Sequence, residues 1–420
     1  MKDKLIQKLI KDEVRRQGET INLIASENYV SNDVLTALGS ELTNKYSEGY
    51  PHKRYYGGQT YTDQIEDECK KRALTLFGLK NNIWAVNAQA LSGSPANVAV
   101  YLGLVPIGEK IMGMSLPHGG HLTHGQKVSM SGKAWTQVPF GVDEKTEVID
   151  YTEVKKIAIQ EKPALIVAGF TAYPRIVDFK KFREVADACG AILMVDMSHF
   201  AGLVAGKAYP SPFPYADVVT TTTHKTLRGP RAALIFSRLD KKRIAQNGKE
   251  QTFPECIDKA IFPGLQGGPH MNQIAAVAVA LKEAATPAFK KYAAQIIRNA
   301  RVLASELHAL GWKIISGGTD SHLILMDTWM NGTGMSGAEA SGKLETMGII
   351  VNKNTIPGET RSAFDPSGIR LGTAALTSRG MNEREMKLVA QLIHAILAEK
   401  KNASREVKSL CKKFPLWYKS

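Results

Sequence analysis

Cysteine is scarce in this chain: four residues in 420, Cys69, Cys189, Cys256 and Cys411, with no CxxC pair among them. That excludes a disulfide framework and a cysteine zinc site, and the four read as reduced thiols. No apolar run approaches the roughly 20 residues needed to span a bilayer. The opening MKDKLIQKLIKDEVRRQ lacks the apolar core of a secretion signal, and its acids Asp3, Asp12 and Glu13 argue against a mitochondrial presequence. The expected location is cytoplasmic. Low-complexity tracts and internal repeats are also missing, so a linear array or a disordered tail is not expected. Aromatics are 7% of residues and are not interleaved with basic runs, so stacking platforms for single-stranded nucleic acid are missing too. Nucleic acid is therefore the minor reading of the net charge of +14, and attraction of small anions the major one.

What is present is an ordinary globular balance, 44% hydrophobic and 22% charged, with length for two or three domains. Residues 1–60 read as an arm: an amphipathic helix, then NLIASENYVS, then the tyrosine- and glycine-dense NKYSEGYPHKRYYGG, which suits a segment laid over another surface, possibly another subunit. Residues 61–272 alternate helical and strand patterns. Helices are expected at 62–77 and 94–104, and strands at 111–114, 165–168, 192–195 and 233–236. Such alternation builds a mainly parallel sheet with ligands at the carboxyl ends of its strands. After the breaker FPGLQGGPH, residues 273–420 read as a smaller α/β domain with strands at 313–315, 322–326 and 349–351. Its late helix starts at Asn382 with Glu385 three residues on, a capping-box pattern. The basic tail, Lys400 to Lys419, reads as a helix end and then an anchored extended segment.

The chemistry concentrates in TTTTHKTLRGPR, Thr220 to Arg231. Lys225 follows the strand-like run Ala216–Val219, and a second run, Ala191–Val195, ends on Asp196. A lysine amine at one strand end and a carboxylate at a neighbouring one are what pyridoxal 5'-phosphate requires: the amine carries the cofactor as a Schiff base, and the carboxylate keeps the pyridine nitrogen protonated. Each alone is commonplace, since lysines usually lie on solvated surface and acids often cap loops. Ser92-Gly93-Ser94-Pro95 before a helix suits a phosphate, with Pro95 expected at the first helical position. HGGHLTH spaces His118, His121 and His124 by three. Helical spacing would allow a shared metal, but Gly119 and Gly120 oppose a helix and no carboxylate or cysteine is near in sequence, so a ring stacked on a planar cofactor is the better reading and no metal is expected. Arg370 in SGIRLGT offers a guanidinium fork for a substrate carboxylate. Glu48, between Tyr46 and Tyr56, is a carboxyl suited to proton transfer.

These motifs, together with AYPRIVDF, VDMSHFAGL, SGGTDSHL and VNKN, occur in the order seen in serine hydroxymethyltransferases of bacterial type, which the chain resembles over roughly residues 5 to 400. The resemblance implies the α/β architecture of PLP-dependent transferase fold type I: a large domain with a mainly parallel seven-stranded sheet, and a smaller C-terminal α/β domain. It implies Lys225 as the cofactor-bearing residue, Asp196 as the pyridinium partner, His121 as the stacked ring and His199 near the phenolic oxygen. Ser92, Gly93 and Ser94 would hold the phosphate, with Thr171 also at the cofactor, and His224 would influence substrate choice. Arg370, assisted by Ser26, would bind the substrate carboxylate. Glu48, Tyr46, Tyr56, Gly267 and Gly268 would come from a neighbouring subunit, making the protein a homodimer with shared sites. Tetrahydrofolate, the co-substrate, would meet Leu116, Gly120, His121, Leu122, Asn354 and the Ser362-Ala363-Phe364 turn. The implied reaction interconverts serine and tetrahydrofolate with glycine and 5,10-methylenetetrahydrofolate. Thr171, Leu91 and Pro95 depart from the serine, histidine and glutamine usual in the family. The rival reading is a folate-independent aldolase or racemase, which would need Lys225, Asp196 and Arg370 but not Glu48 or Asn354.

Overall fold

The computed structural model describes residues 1–244 and 248–418, so Lys419 lies outside the described residues. Contacts within the chain divide it into two compact units. One comprises 30–171 and 176–293, the other 1–29, 172–175 and 294–420. Of the residues read as an arm, 1–29 belong to the second of these and 30–60 to the first.

The first unit is built on seven strands. In chain order they are β1 (Trp84–Asn87), β2 (Lys110–Met114), β3 (Thr136–Phe140), β4 (Leu165–Ala168), β5 (Ile192–Asp196), β6 (Val218–Thr222) and β7 (Ala233–Arg238). Their order across the sheet is β1-β7-β6-β5-β4-β2-β3. β7 runs antiparallel to both its neighbours, and all other pairings are parallel, so six strands share one direction. Every residue of β4 and β6, and Leu193–Val195 of β5, is buried, which matches their unbroken apolar or β-branched sequences. The helix Gly93–Leu104 lays Ala96, Ala99, Val100 and Tyr101 into the core shared with Ile111, Leu165, Met194, Val218 and Ile235.

Two expectations shift. The strand before the lysine is Val218–Thr222, not Ala216–Val219, because Thr220–Thr222 are β-branched and continue the ladder while Asp217 turns aside to Arg183 and Lys241. The helix starts at Gly93 with Ser92 extended as its N-cap, so Pro95 is third rather than first. A third residue still has no intrahelical acceptor for its N–H, and proline is tolerated.

The second unit has a four-stranded antiparallel sheet, in the order Lys313–Ile314, Leu323–Asp327, Gly368–Gly372, Asn352–Asn354. Ile21–Asn22 pairs in parallel with Ile349–Ile350. The capping box at Asn382 and Glu385 is formed as read. Arg379 donates to the carbonyls of Gly18, Thr20, Cys411 and Phe414, tying both ends of the chain together. Beyond the helix Ser404–Lys413, Trp417 meets Tyr29 edge to face at 6.5 Å.

Candidate active site

The chemistry gathers where parallel strands end, because side chains there leave the sheet while their backbone stays fixed. Asp196 is the last residue of β5 and stands in register with Thr220 of β6; Lys225 lies three residues past the end of β6. Both are buried, each 9% exposed. Burial pushes the Asp196 carboxyl up, but the hydrogen bond from His124, with the Lys225 charge beside it, holds the group below the usual carboxylate range. Its Oδ2 accepts from Asn97 Nδ2 at 2.8 Å and His124 Nε2 at 3.4 Å, and its Oδ1 accepts from the Ser198 N–H at 3.0 Å. A carboxylate offers about four lone-pair sites, so Oδ1 keeps room for one more donor, such as a protonated ring nitrogen.

The histidine loop follows β2. Gly119 has φ 107°, and a Cβ on Gly120 would stand 1.9 Å from the Met114 carbonyl oxygen, so the turn needs both glycines. It sends the three imidazoles to separate tasks. His118 Nδ1 accepts from the Val142 N–H at 2.9 Å, His124 faces Asp196, and His121 Nδ1 meets the Thr123 hydroxyl at 2.7 Å. Among the described residues no group of three or more His, Cys, Asp or Glu is placed to hold a metal ion.

The lysine loop is pinned at its base. Thr226 Oγ accepts from the Gly202 N–H at 3.0 Å and donates to the His199 carbonyl at 2.9 Å. Arg228, at φ 62°, donates its N–H to the Lys225 carbonyl and sets its guanidinium over the rings of Tyr292 and Phe289, at 4.8 and 5.7 Å. His224 is half-buried, and burial together with the charges of Lys225 and Arg231 pulls its imidazole down to about 3, keeping it neutral. His199 is buried beside this loop.

The anion cradle is the start of the helix Gly93–Leu104. Ser92 makes no side-chain cap bond, so its hydroxyl is not spent on the helix. A Cβ on Gly93 would lie 2.6 Å from Thr222 Cγ2 and 4.0 Å from Ser198 Oγ, so the helix start closely approaches the end of β6 and the residues after β5. Ser94 completes the turn. Gln266 clamps the preceding segment: its Nε2 donates to the Gln89 carbonyl, and its Oε1 accepts from the Leu91 N–H. Leu91 thus enters through its backbone, whatever its side chain. Pyridoxal phosphate fits this set: a buried amine, an ionised carboxylate with one open acceptor site, an imidazole in a fixed plane and an uncapped helix start. Thr171 anchors the same region by donating its N–H to the Gly119 carbonyl at 2.8 Å.

A second cluster in this unit joins residues far apart in sequence. Tyr46 donates to Glu48 Oε1 at 3.4 Å and packs edge to face on Tyr56 at 5.3 Å. Cβ atoms on Gly267 and Gly268 would lie 3.4 Å from Glu48 Oε1 and 3.5 Å from Tyr46 Cε1. The charge of Glu48 pushes the Tyr46 phenol up. Tyr46, Tyr55 and Tyr56 are exposed. The folate candidates of this unit, Leu116, Gly120 and Leu122, follow β2, with Leu122 exposed.

In the other unit Arg370 is buried on the strand Gly368–Gly372, and burial pulls its guanidinium down to about 10. Its Nε donates to Asn352 Oδ1 at 3.1 Å. The NLIASEN segment crosses the same strand: Gly372 donates to the Leu23 carbonyl, and a Cβ there would strike Ala25 Cα at 2.4 Å, which brings Ser26 alongside. Asn354 ends the neighbouring strand, and the 362–364 turn is fixed by Ser362 accepting from the Phe364 N–H, leaving Phe364 exposed.

Five participants were not singled out from sequence: Asn97, Thr123, Ser198, Thr222 and Gln266. Four lie inside the motifs quoted above and Asn97 lies two residues past Pro95, yet nothing in their spacing marks them. His124 was weighed only as a metal ligand.

Comparison with known proteins then gives a consistent answer. The family described as Serine hydroxymethyltransferase matches residues 1–393. A protein of Desulfotalea psychrophila named serine hydroxymethyltransferase is 52% identical over 422 residues, covering 98% of this chain and 94% of the relative. One of Koribacter versatilis with the same name is 51% identical over 421 residues, covering 99% and 95%.

Proposed function

The chain belongs to the serine hydroxymethyltransferase family, and on that footing we propose how its residues divide the work. The enzyme is a pyridoxal-phosphate-dependent transferase that reversibly interconverts serine and tetrahydrofolate with glycine and 5,10-methylenetetrahydrofolate, a step of one-carbon metabolism and glycine biosynthesis. Bound pyridoxal phosphate supplies an electron sink for the substrate carbon.

Lys225 would be the attachment amine, and Asp196 would accept a hydrogen bond from the protonated ring nitrogen. Ser92, Gly93 and Ser94 bind the phosphate, with Thr171 supporting the loop that carries His121, and His199 stands by the phenolic oxygen. Arg370 forks onto the substrate carboxylate with Ser26 beside it. Because the guanidinium is buried, that pairing gains strength from low local dielectric. His224, kept neutral, takes or gives a hydrogen bond to the incoming amino acid without adding charge beside Lys225. Glu48 moves the proton of the serine hydroxyl, with Tyr56 as a further catalytic residue beside it. Leu116, Gly120, Leu122, Asn354 and the Ser362-Ala363-Phe364 turn contact folate.

The working form is a homodimer in which Glu48, Tyr46, Tyr56, Gly267 and Gly268 serve the partner's site. Support comes from their gathering into one cluster in which Tyr46, Tyr56 and Gly267 are exposed, apolar rings left for a partner to cover. As a division of roles, the sequence suggests an interface arm, 1–60, a cofactor domain, 61–272, and a small domain, 273–420, whereas compact packing divides the arm after residue 29 and starts the last stretch of the other unit at 294. The location is cytoplasmic, which four free thiols support; among the described residues no helix is long and apolar enough to cross a membrane.

The observation that carries the residue assignment is the buried, ionised Asp196 at the end of β5 with the Lys225 charge close enough to act on it. Borohydride reduction of the cofactor-loaded enzyme and peptide mass spectrometry should place the label on Lys225; a label elsewhere refutes it. Serine-to-glycine conversion should depend strongly on tetrahydrofolate, and equal turnover without it would favour the aldolase or racemase. Mixing Lys225→Ala chains with Glu48→Gln chains should restore activity if sites are shared. Failure to restore it in confirmed mixed dimers refutes sharing.

A further inference from the structure

Around Asp196 the polar groups close into a ring whose hydrogens all run in compatible directions. Asn97, buried in the first turns of its helix, gives one amide hydrogen to Asp196 Oδ2 at 2.8 Å and the other to Thr123 Oγ at 2.9 Å. Its own Oδ1 accepts from the Thr220 hydroxyl at 2.8 Å, which fixes the orientation of the amide. Thr123 Oγ, already accepting from Asn97, has its single hydrogen left for His121 Nδ1 at 2.7 Å. The Thr123 backbone N–H also points at that nitrogen, at 3.2 Å. Two donors converge on His121 Nδ1, so that nitrogen bears no proton and Nε2 carries it. The His121 backbone N–H donates to His124 Nδ1 at 3.3 Å, which leaves His124 Nε2–H to complete the circuit onto Asp196.

We propose that Asn97 and Thr123 are positioning residues that lock His121 in its Nε2–H tautomer and in one ring plane, and couple that lock to the carboxylate of Asp196. The inference rests on the assignment of Asp196 and His121 to opposite contacts of one cofactor, edge and face. Its physical content is that the two contacts are not independent. The same carboxamide holds both, and rotating it to serve one would break the other. The ring is buried at Asn97, Thr123, His124 and Asp196, so water does not replace a lost member at low cost.

The test uses the full-length enzyme with histidines labelled with 15N, wild type and Thr123→Val, with Thr123→Ser as the conservative rescue. Valine keeps the shape and removes the hydroxyl; serine restores it. Without cofactor, the wild-type His121 ring, assigned by its disappearance in His121→Asn, should show an Nε2–H tautomer. Thr123→Val should mix in the other tautomer and weaken pyridoxal phosphate binding about tenfold, and Thr123→Ser should return both to wild type. Asn97→Ala should weaken cofactor binding further than Thr123→Val, because it releases Asp196 as well. A wild-type His121 protonated on Nδ1 overturns the proposal. So does a Thr123→Val enzyme that melts at lower temperature yet keeps wild-type tautomer and cofactor affinity, the pattern of a merely structural residue. If wild type binds no cofactor at Lys225, it is instead the assignment of the site that fails. The tautomer readout, taken without cofactor, keeps the two failures apart.

Discussion

Replacing Gly202 by alanine strikes the lysine loop without touching a reacting group. A Cβ at this position would lie 2.1 Å from the Thr226 carbonyl oxygen, 2.2 Å from its carbon and 2.7 Å from the Leu227 nitrogen. Ordinary contact begins near 3.4 Å, so the backbone must part by more than an ångström, and backbone cannot swing aside as a side-chain tip does. Parting breaks the Gly202 N–H bond to Thr226 Oγ and strains the Thr226 bond to the His199 carbonyl. Two buried hydrogen bonds are worth about 2 kcal/mol net and more when the groups stay unsatisfied. Overpacking adds about 1–3 kcal/mol. The sum, about 3–5 kcal/mol, is a large part of the margin of a typical domain. The measurement is denaturant unfolding of the cofactor-free enzyme, with pyridoxal phosphate affinity alongside, since Lys225 adjoins Thr226. Gly18→Ala is the control: nothing lies within 4 Å of its added methyl group inside the helix Lys4–Glu19, and it should stabilise by roughly 0.5–1 kcal/mol. Unfolding of Gly202→Ala at the wild-type midpoint with wild-type affinity would refute the reasoning.

Other expectations are shorter to state. His224 is held near 3 when folded and titrates near 6.5 when unfolded, so below pH 6.5 the unfolded chain takes up a proton the folded one refuses. Its contribution to stability is therefore intact above pH 6.5 and declines toward pH 3; His224→Gln should flatten that slope, and an unchanged profile would count against the burial argument. Glu48→Gln should keep cofactor affinity and lose folate-linked turnover by at least a hundredfold, consistent with a general acid–base role; full turnover removes Glu48 from the mechanism. Burial raises the Cys69 thiol to about 12 and raises the Cys411 thiol as well, so thiol reagents should modify the half-buried Cys189 ahead of both, with Cys69 reacting only on unfolding. Early modification of Cys69 would contradict its packing.

Much of the frame was legible because its signals are local. β4, Leu165–Ala168, coincides with its apolar run, and the helices at 62–77 and 94–104 were displaced by only one or two residues at their starts. Asn382 and Glu385 form their box because a cap involves residues three apart. Where β-branching and apolarity parted company, at Ala216–Thr222, the strand followed the threonines.

By itself the sequence determined the chemistry: a lysine, an acid, a guanidinium and a glycine–serine turn, each in a motif whose residue types have few other uses in combination. Tertiary structure alone decided how they are held. Asn97 meets Asp196 across 99 positions and Thr220 across 123, and no period or spacing in a single chain encodes such pairings. The open site on Asp196, the tautomer of His121 and the gathering of Glu48 with Gly267 exist only once parallel strands bring their ends together. Hydrogen-bond direction depends on which donors converge in space, whereas a motif records only which residues follow one another along the backbone.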